Sequence, residues 1–199
     1  MLERARRFAA DSAIASLAAS IRTGDGDAVI DALSAGSDEV HWVRDDDVDG
    51  LADLQNALVT AGVEVVEAAL AGDADAAMGS ATRLKVLAAT RRHTLGRDDW
   101  SARIEDAVAD RLASVRSWRL WYVGRPVIVG ANDDLNAVAN GDVGVVVATS
   151  DGPMVALGSS AGVRLLPPSR LDQVGTWWAM TIHKSQGSEF PHAVVSLPG

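Results

Sequence analysis

Thr181, His183, Lys184, Ser185 and Gln186 fall within six consecutive positions, and Gly187 and Glu189 follow at once. Two hydroxyls, an imidazole, an ammonium, a carboxamide and a glycine together offer side-chain donors and accessible backbone N–H groups. That set suits phosphate oxygens. The apolar Trp177, Trp178, Ala179 and Met180 precede it and read as a buried strand, and residues 193–197 form a second apolar run behind it. On residue types alone the stretch is either a polar turn without a ligand or a phosphate-contacting loop at a sheet edge.

The elements that must position this stretch belong to a chain of 199 residues, enough for one ordinary domain with a small insertion. An apolar fraction of 48% supports a proper core. No run reaches the roughly eighteen uncharged apolar residues that span a bilayer. The basic N-terminus has no apolar segment behind it that would read as a secretory signal. With no cysteine there are no disulfides, thiolate nucleophiles or Cys-type zinc sites, which fits a cytoplasmic setting. The histidines at 41, 93, 183 and 192 show no metal-ligand spacing.

The net charge of −9 argues against a free-standing nucleic-acid binder, but the charge is unevenly placed. Residues 23–80 carry fourteen acidic side chains and one arginine, whereas residues 81–125 carry ten basic and five acidic ones. The acid is concentrated away from the candidate loop in sequence.

Asp11 or Ser12 can cap a helix whose apolar positions are Ile14, Leu17, Ala18 and Ile21. A short helical piece is expected near 28–33 and a short strand at 40–43. The acidic run at 45–47 opens a long helix with Leu51, Leu54, Leu58, Val65, Val66 and Ala69 on its apolar stripe. Residues 84–89 read as a buried strand ending in Thr90, Arg91, Arg92 and His93. An amphipathic helix follows, with Asp98 or Asp99 as its cap and Trp100, Ile104, Val108, Leu112 and Val115 on one face. From Val123 onward, short β-type runs alternate with Gly/Asn/Asp turns at about ten-residue spacing, which predicts a small antiparallel barrel or meander.

Residues 180–190 closely resemble motif V of superfamily 1 helicases in the form found in the RecD family, the alpha subunits of exodeoxyribonuclease V. Residues 166–171 and the Leu197-Pro198 pair share the likeness. Arg7-Phe8, followed by a helix and by Ile21-Arg22-Thr23-Gly24-Asp25, resembles motif IV. Gly124-Arg125-Pro126-Val127, Asn132-Asp133 and residues 140–144 resemble the family's SH3-like insertion. Two departures are visible: His93 stands where the family usually has Gly, and Ser101 where it has Asn.

The resemblance implies an α/β fold, namely a partial second RecA-like (P-loop NTPase-type) helicase domain at 1–122 and 174–199. An SH3-like β-barrel would be inserted at 123–173. It assigns Arg7 to the γ-phosphate of ATP, Gly187 to the nucleotide near that phosphate and Glu189 to the ribose side. Thr181, His183, Lys184, Ser185 and Gln186 fall to single-stranded DNA. It further implies ATP and Mg²⁺ in the full-length protein, and RecB-like and RecC-like subunits and a first RecA-like lobe as partners.

The 199 residues contain no GxxxxGK[ST] loop to wrap ATP phosphates. They also lack an apolar strand ending in Asp-Glu to hold Mg²⁺, and the family's motif VI. The expectation is therefore a piece of an ATP-driven DNA motor, from motif IV to motif V, that is inactive by itself. The competing class is a non-enzymatic protein-docking or DNA-binding module.

Overall fold

A computed structural model describes residues 12–113, 115, 120–159 and 162–197. Arg7 and Phe8, the expected motif IV pair, lie outside the described residues. The chain divides into two compact units, the division falling between Asp53 and Leu54 inside one long helix.

In the first unit, α1 (Ala13–Thr23) and α2 (Gly26–Ala35) are punctuated by their caps. Ser12 Oγ accepts from the Ala15 N–H at 3.1 Å, and Asp25 Oδ1 accepts from the Ala28 N–H at 3.0 Å. Neither helix has a buried residue. The expected strand at 40–43 is absent: that segment is irregular, with the Val40 carbonyl accepting from the Ser37 N–H. Four residues without a second strand to pair with cannot build a ladder. Of the acidic run, Asp47 does the capping of α3 (Val48–Leu70), accepting from the Gly50 N–H at 2.9 Å.

The second unit continues α3 into α4 (Ala74–Arg83), β1 (Leu84–Ala88) and α5 (Arg97–Arg111). α4 buries Ala77, Met78 and Ala81 on one side, and its start is set by Asp73, whose carboxylate accepts from the Ala76 N–H. α5 is capped by Gly96 and not by either expected aspartate. Asp98 and Asp99 lie in its first turn, and Asp99 instead accepts the Leu95 N–H at 2.9 Å. α3 and α5 approach closely at Gly62, where a Cβ would come within 2.5 Å of a Val108 methyl.

Among the described residues, eight strands make two sheets. β1 is the centre of a parallel three-stranded sheet, flanked by β7 (Ala179–Thr181) and β8 (His192–Ser196). β2 (Pro126–Val129), β3 (Val143–Val147), β4 (Met154–Ser159), β5 (Gly162–Leu166) and β6 (Val174–Thr176) form an antiparallel sheet ordered β5-β4-β3-β2-β6. Period-2 alternation sorts its side chains between two cores. Val127, Val129, Val146, Val155 and Leu157 join Val138 and Leu171 on one face. Ile128, Val145, Val147 and Ala156 join the larger core with α3, α4, α5 and β1. Each fully buried valine or leucine here is worth about 1.5–3 kcal/mol of transfer free energy.

The chain changes sheets in two residues. The Trp177 N–H donates to the Pro126 carbonyl at 2.9 Å, and by Ala179 the backbone pairs with Val86 of β1. Both Trp177 and Trp178 are buried, so the junction is fixed by bulk as well as by hydrogen bonds. It delivers the chain to Thr181 at the end of β7.

Candidate nucleic-acid interface

Because β7, β1 and β8 are parallel, their carboxyl ends leave the same edge of the sheet. In open α/β sheets that edge is the usual place for a ligand. From β7 emerges a short 3₁₀ turn, Ile182–Ser185, and from β1 the segment Ala89, Thr90, Arg91, Arg92, His93.

The turn divides the sequence-expected residues by role. Thr181 is half-buried, and its Oγ1 accepts from the Lys184 N–H at 3.3 Å, so its hydroxyl caps the turn. Ser185 is also half-buried and donates its hydroxyl to the Ile182 carbonyl at 2.8 Å. His183, Lys184 and Gln186 are exposed. In a 3₁₀ turn, side chains three apart eclipse, which puts His183 and Gln186 on one side. The outward surface thus offers an imidazole, an ammonium and a carboxamide, stiffened by two inward hydroxyls.

Gly187 has φ +88°, a backbone conformation that L side chains rarely adopt, and no atom within 4 Å of where a Cβ would be. It lets the chain reverse out of the turn and leaves its backbone approachable. Glu189 is exposed one residue beyond Ser188. Phe190 returns to the core, tilted against Trp177 with ring centroids 6.4 Å apart. The loop is therefore anchored at both ends by the same tryptophan junction. Arg7 lies outside the described residues, and among them no group of three His, Asp or Glu side chains is arranged to hold a metal ion.

Over 197 residues, 99% of this chain and 34% of the relative, the sequence is 38% identical to the RecBCD enzyme subunit RecD of Mycolicibacterium smegmatis. Along nearly its whole length this is a RecD-like sequence. The RecBCD enzyme subunit RecD of Mycobacterium tuberculosis is 38% identical over 185 residues, 93% of this chain and 32% of that one. That of Haemophilus influenzae is 28% identical over 218 residues, 99% of this chain and 32% of that one. The chain spans about a third of the length of the curated relatives it matches. No family model matches it. Among solved structures, Bacteroides Pif1 bound to ssDNA overlays 56% of this chain and 34% of that one, at 19% identity and a TM-score of 0.32.

Around the turn, the RecD-like chain has supports that residue types did not announce. Lys85, on β1, is buried, and its Nζ donates to the Trp177 carbonyl at 2.9 Å while lying 3.7 Å from the centroid of that ring. Burial pushes its ammonium down to about 7. Ser196, the one hydroxyl in the second apolar run, accepts from Trp100 Nε1 at 2.8 Å and donates to the Leu95 carbonyl at 2.9 Å. A third network joins Trp178 Nε1 to the Tyr122 hydroxyl at 3.1 Å and that hydroxyl to Glu105 at 2.6 Å. Burial and the Glu105 carboxylate push the Tyr122 phenol well above its ordinary range, so it stays a neutral donor. A lone polar residue inside an apolar run was the available signal for Lys85 and Ser196.

Proposed function

We propose that this chain is the motif IV to motif V part of a RecD-like DNA helicase subunit. In that reading the Ile182–Ser185 turn is the surface that touches the backbone of single-stranded DNA. The observation that carries it is the 38% identity to RecD along 99% of the chain. The exposed His183, Lys184 and Gln186 at the carboxyl edge of the parallel sheet support it chemically.

In the whole protein, ATP hydrolysis with Mg²⁺ would drive movement along single-stranded DNA during recombinational repair of double-strand breaks. RecB-like and RecC-like subunits and a first RecA-like lobe would be its partners, in the cytoplasm. Residues 1–122 and 174–199 are then a partial second RecA-like domain, and 123–173 an SH3-like barrel insertion. Pairing of β2, β3, β4 and β5 in one antiparallel sheet supports the barrel, and β6 beside β2 carries that sheet three residues past 173, so the return to the parallel sheet comes at β7. Gly187 and Glu189 would face the nucleotide, and Arg7 would approach the γ-phosphate with a rigid, doubly donating fork.

These 199 residues by themselves should not turn over ATP. Phosphoryl transfer needs a phosphate cradle, bound Mg²⁺ and charge neutralisation in one geometry. Groups that act as a unit lose nearly all effect when one is missing. Steady-state assays of the purified chain should show no Mg²⁺-dependent turnover, while a longer RecD-like protein carrying a Walker A loop and motif VI should be active and lose activity on Arg7→Ala. Turnover by the 199-residue chain that Arg7→Ala abolishes would contradict this reading.

A further inference from the structure

One buried amine holds the residue to which both ends of the 182–189 loop are attached. Trp177 stands two residues before β7, and Phe190, the first residue past the loop, packs on its ring with centroids 6.4 Å apart. From β1, Lys85 Nζ donates to the Trp177 carbonyl at 2.9 Å and lies 3.7 Å from the centroid of the same ring. The Trp177 indole N–H donates in turn to Met180 Sδ at 3.4 Å, inside β7 itself.

A lysine is a costly choice for this position, because burial disfavours its charged form. A methionine of similar length would fill the same space without that desolvation cost. What the amine adds is direction. Its bond to the carbonyl fixes the Trp177 backbone, and its place over the ring fixes the side chain. Apolar contact alone is non-directional and fixes neither. Two of the turn's own bonds are long, from the Lys184 N–H to Thr181 Oγ1 at 3.3 Å and from the Gln186 N–H to the His183 carbonyl at 3.4 Å. Where the turn sits therefore depends on what fixes its ends.

We propose that Lys85 is a positioning residue for the exposed His183, Lys184 and Gln186. Acting through the carbonyl and ring of Trp177, it fixes both ends of the loop and sets single-strand affinity without touching the strand. Its burial excludes a phosphate contact of its own. A loop ordered beforehand loses less conformational freedom on binding, so loosening it weakens affinity while every contact group stays in place. This rests on the reading of the Ile182–Ser185 turn as a single-strand contact.

Amide hydrogen exchange and fluorescent oligo-dT binding of the full 199-residue chain test it, with Lys85→Met, Phe190→Ala, their double variant and Lys184→Ala. Lys85→Met should raise exchange across 182–188 several-fold, while the β3 and β4 amides exchange no faster than in wild type. It should weaken oligo-dT binding several-fold, with log K falling on log salt in parallel with wild type, because no phosphate contact is removed. Lys184→Ala should instead reduce that slope by about 0.7, the release expected for one single-strand phosphate. Phe190→Ala opens the same clamp from its other side. Combined with Lys85→Met it should loosen the loop little further, since both act through one ring. Unchanged exchange at 182–188 in Lys85→Met refutes the positioning role, and so does exchange raised equally in β3 and β4. Additive effects in the double variant, or a salt slope reduced like that of Lys184→Ala, also refute it. If Lys85→Met loosens the loop but binds as wild type while Lys184→Ala binds more weakly, Lys85 does not set affinity and the Lys184 contact stands. If neither substitution changes binding, the single-strand reading falls and this one with it.

Discussion

At the residue scale, the 181–189 stretch announces its donors by composition, but it does not announce which ones are free. Thr181 and Ser185 spend their hydroxyls on the Lys184 N–H and the Ile182 carbonyl, leaving His183, Lys184 and Gln186 to face outward. That division follows from the 3₁₀ winding, which sequence spacing alone does not fix. Outward groups of this kind touch a sugar–phosphate backbone more readily than base edges. In a longer RecD-like protein, His183→Ala should therefore lower DNA-stimulated ATP hydrolysis at least several-fold while nucleotide affinity changes little. Comparing kcat with and without saturating oligo-dT, beside nucleotide titrations, checks this; undiminished DNA stimulation would remove His183 from the interface. Gly187 was legible as the glycine of a polar turn, and its φ of +88° is the backbone conformation that favours glycine there.

At the element scale, long or strongly patterned segments were legible: the α3 stripe, β1, β2, β3, β4 and β5 all occur where periodicity puts them. What failed did so for local reasons. Among the described residues the 40–43 segment has no pairing partner, the buried side of α4 is mostly alanine (Ala77, Ala81, with Met78), and Gly96 displaced two aspartates as the α5 cap. The pairing of β1 between β7 and β8 was not legible, since register over about a hundred residues leaves no local mark. Lys85 illustrates the gap: the apolar run around it declares a buried strand, but nothing local declares the Trp177 ring that covers it. Its ammonium titrates near 7 in the folded chain against an ordinary 10.5. Between those values the unfolded chain binds a proton the folded chain lacks, so stability rises with pH across that window. Urea unfolding from pH 7 to about 9.5, below the range where an ordinary tyrosine ionises, should show wild type gaining on Lys85→Met as pH increases. Parallel curves would show that Lys85 keeps its charge in the fold. Ser196→Ala should cost about 1–3 kcal/mol, because it leaves the Trp100 indole and the Leu95 carbonyl unpaired in a buried place. A shift in the unfolding midpoint measures that cost, and an unchanged midpoint would mean water replaces the hydroxyl.

At the scale of the whole molecule, the net charge of −9 is misleading because it averages two populations. Acidic residues crowd 23–80, whereas the carboxyl edge of the parallel sheet gathers Arg91, Arg92, His93, His183 and Lys184. The charge asymmetry was visible in the sequence; its convergence on one sheet edge required the parallel topology. A cluster of basic side chains at one sheet edge of a chain with net negative charge should bind single strands weakly, without sequence preference and with strong salt dependence. The most direct test is fluorescence anisotropy of the 199-residue chain with oligo-dT and with mixed-sequence single strands of equal length, across a salt series. The expected result is similar affinity for both, falling steeply and in parallel as salt rises, and reduced by Lys184→Ala. Binding that ignores salt, discriminates strongly between the sequences, or is absent even at low salt would contradict a backbone-contacting interface at this edge.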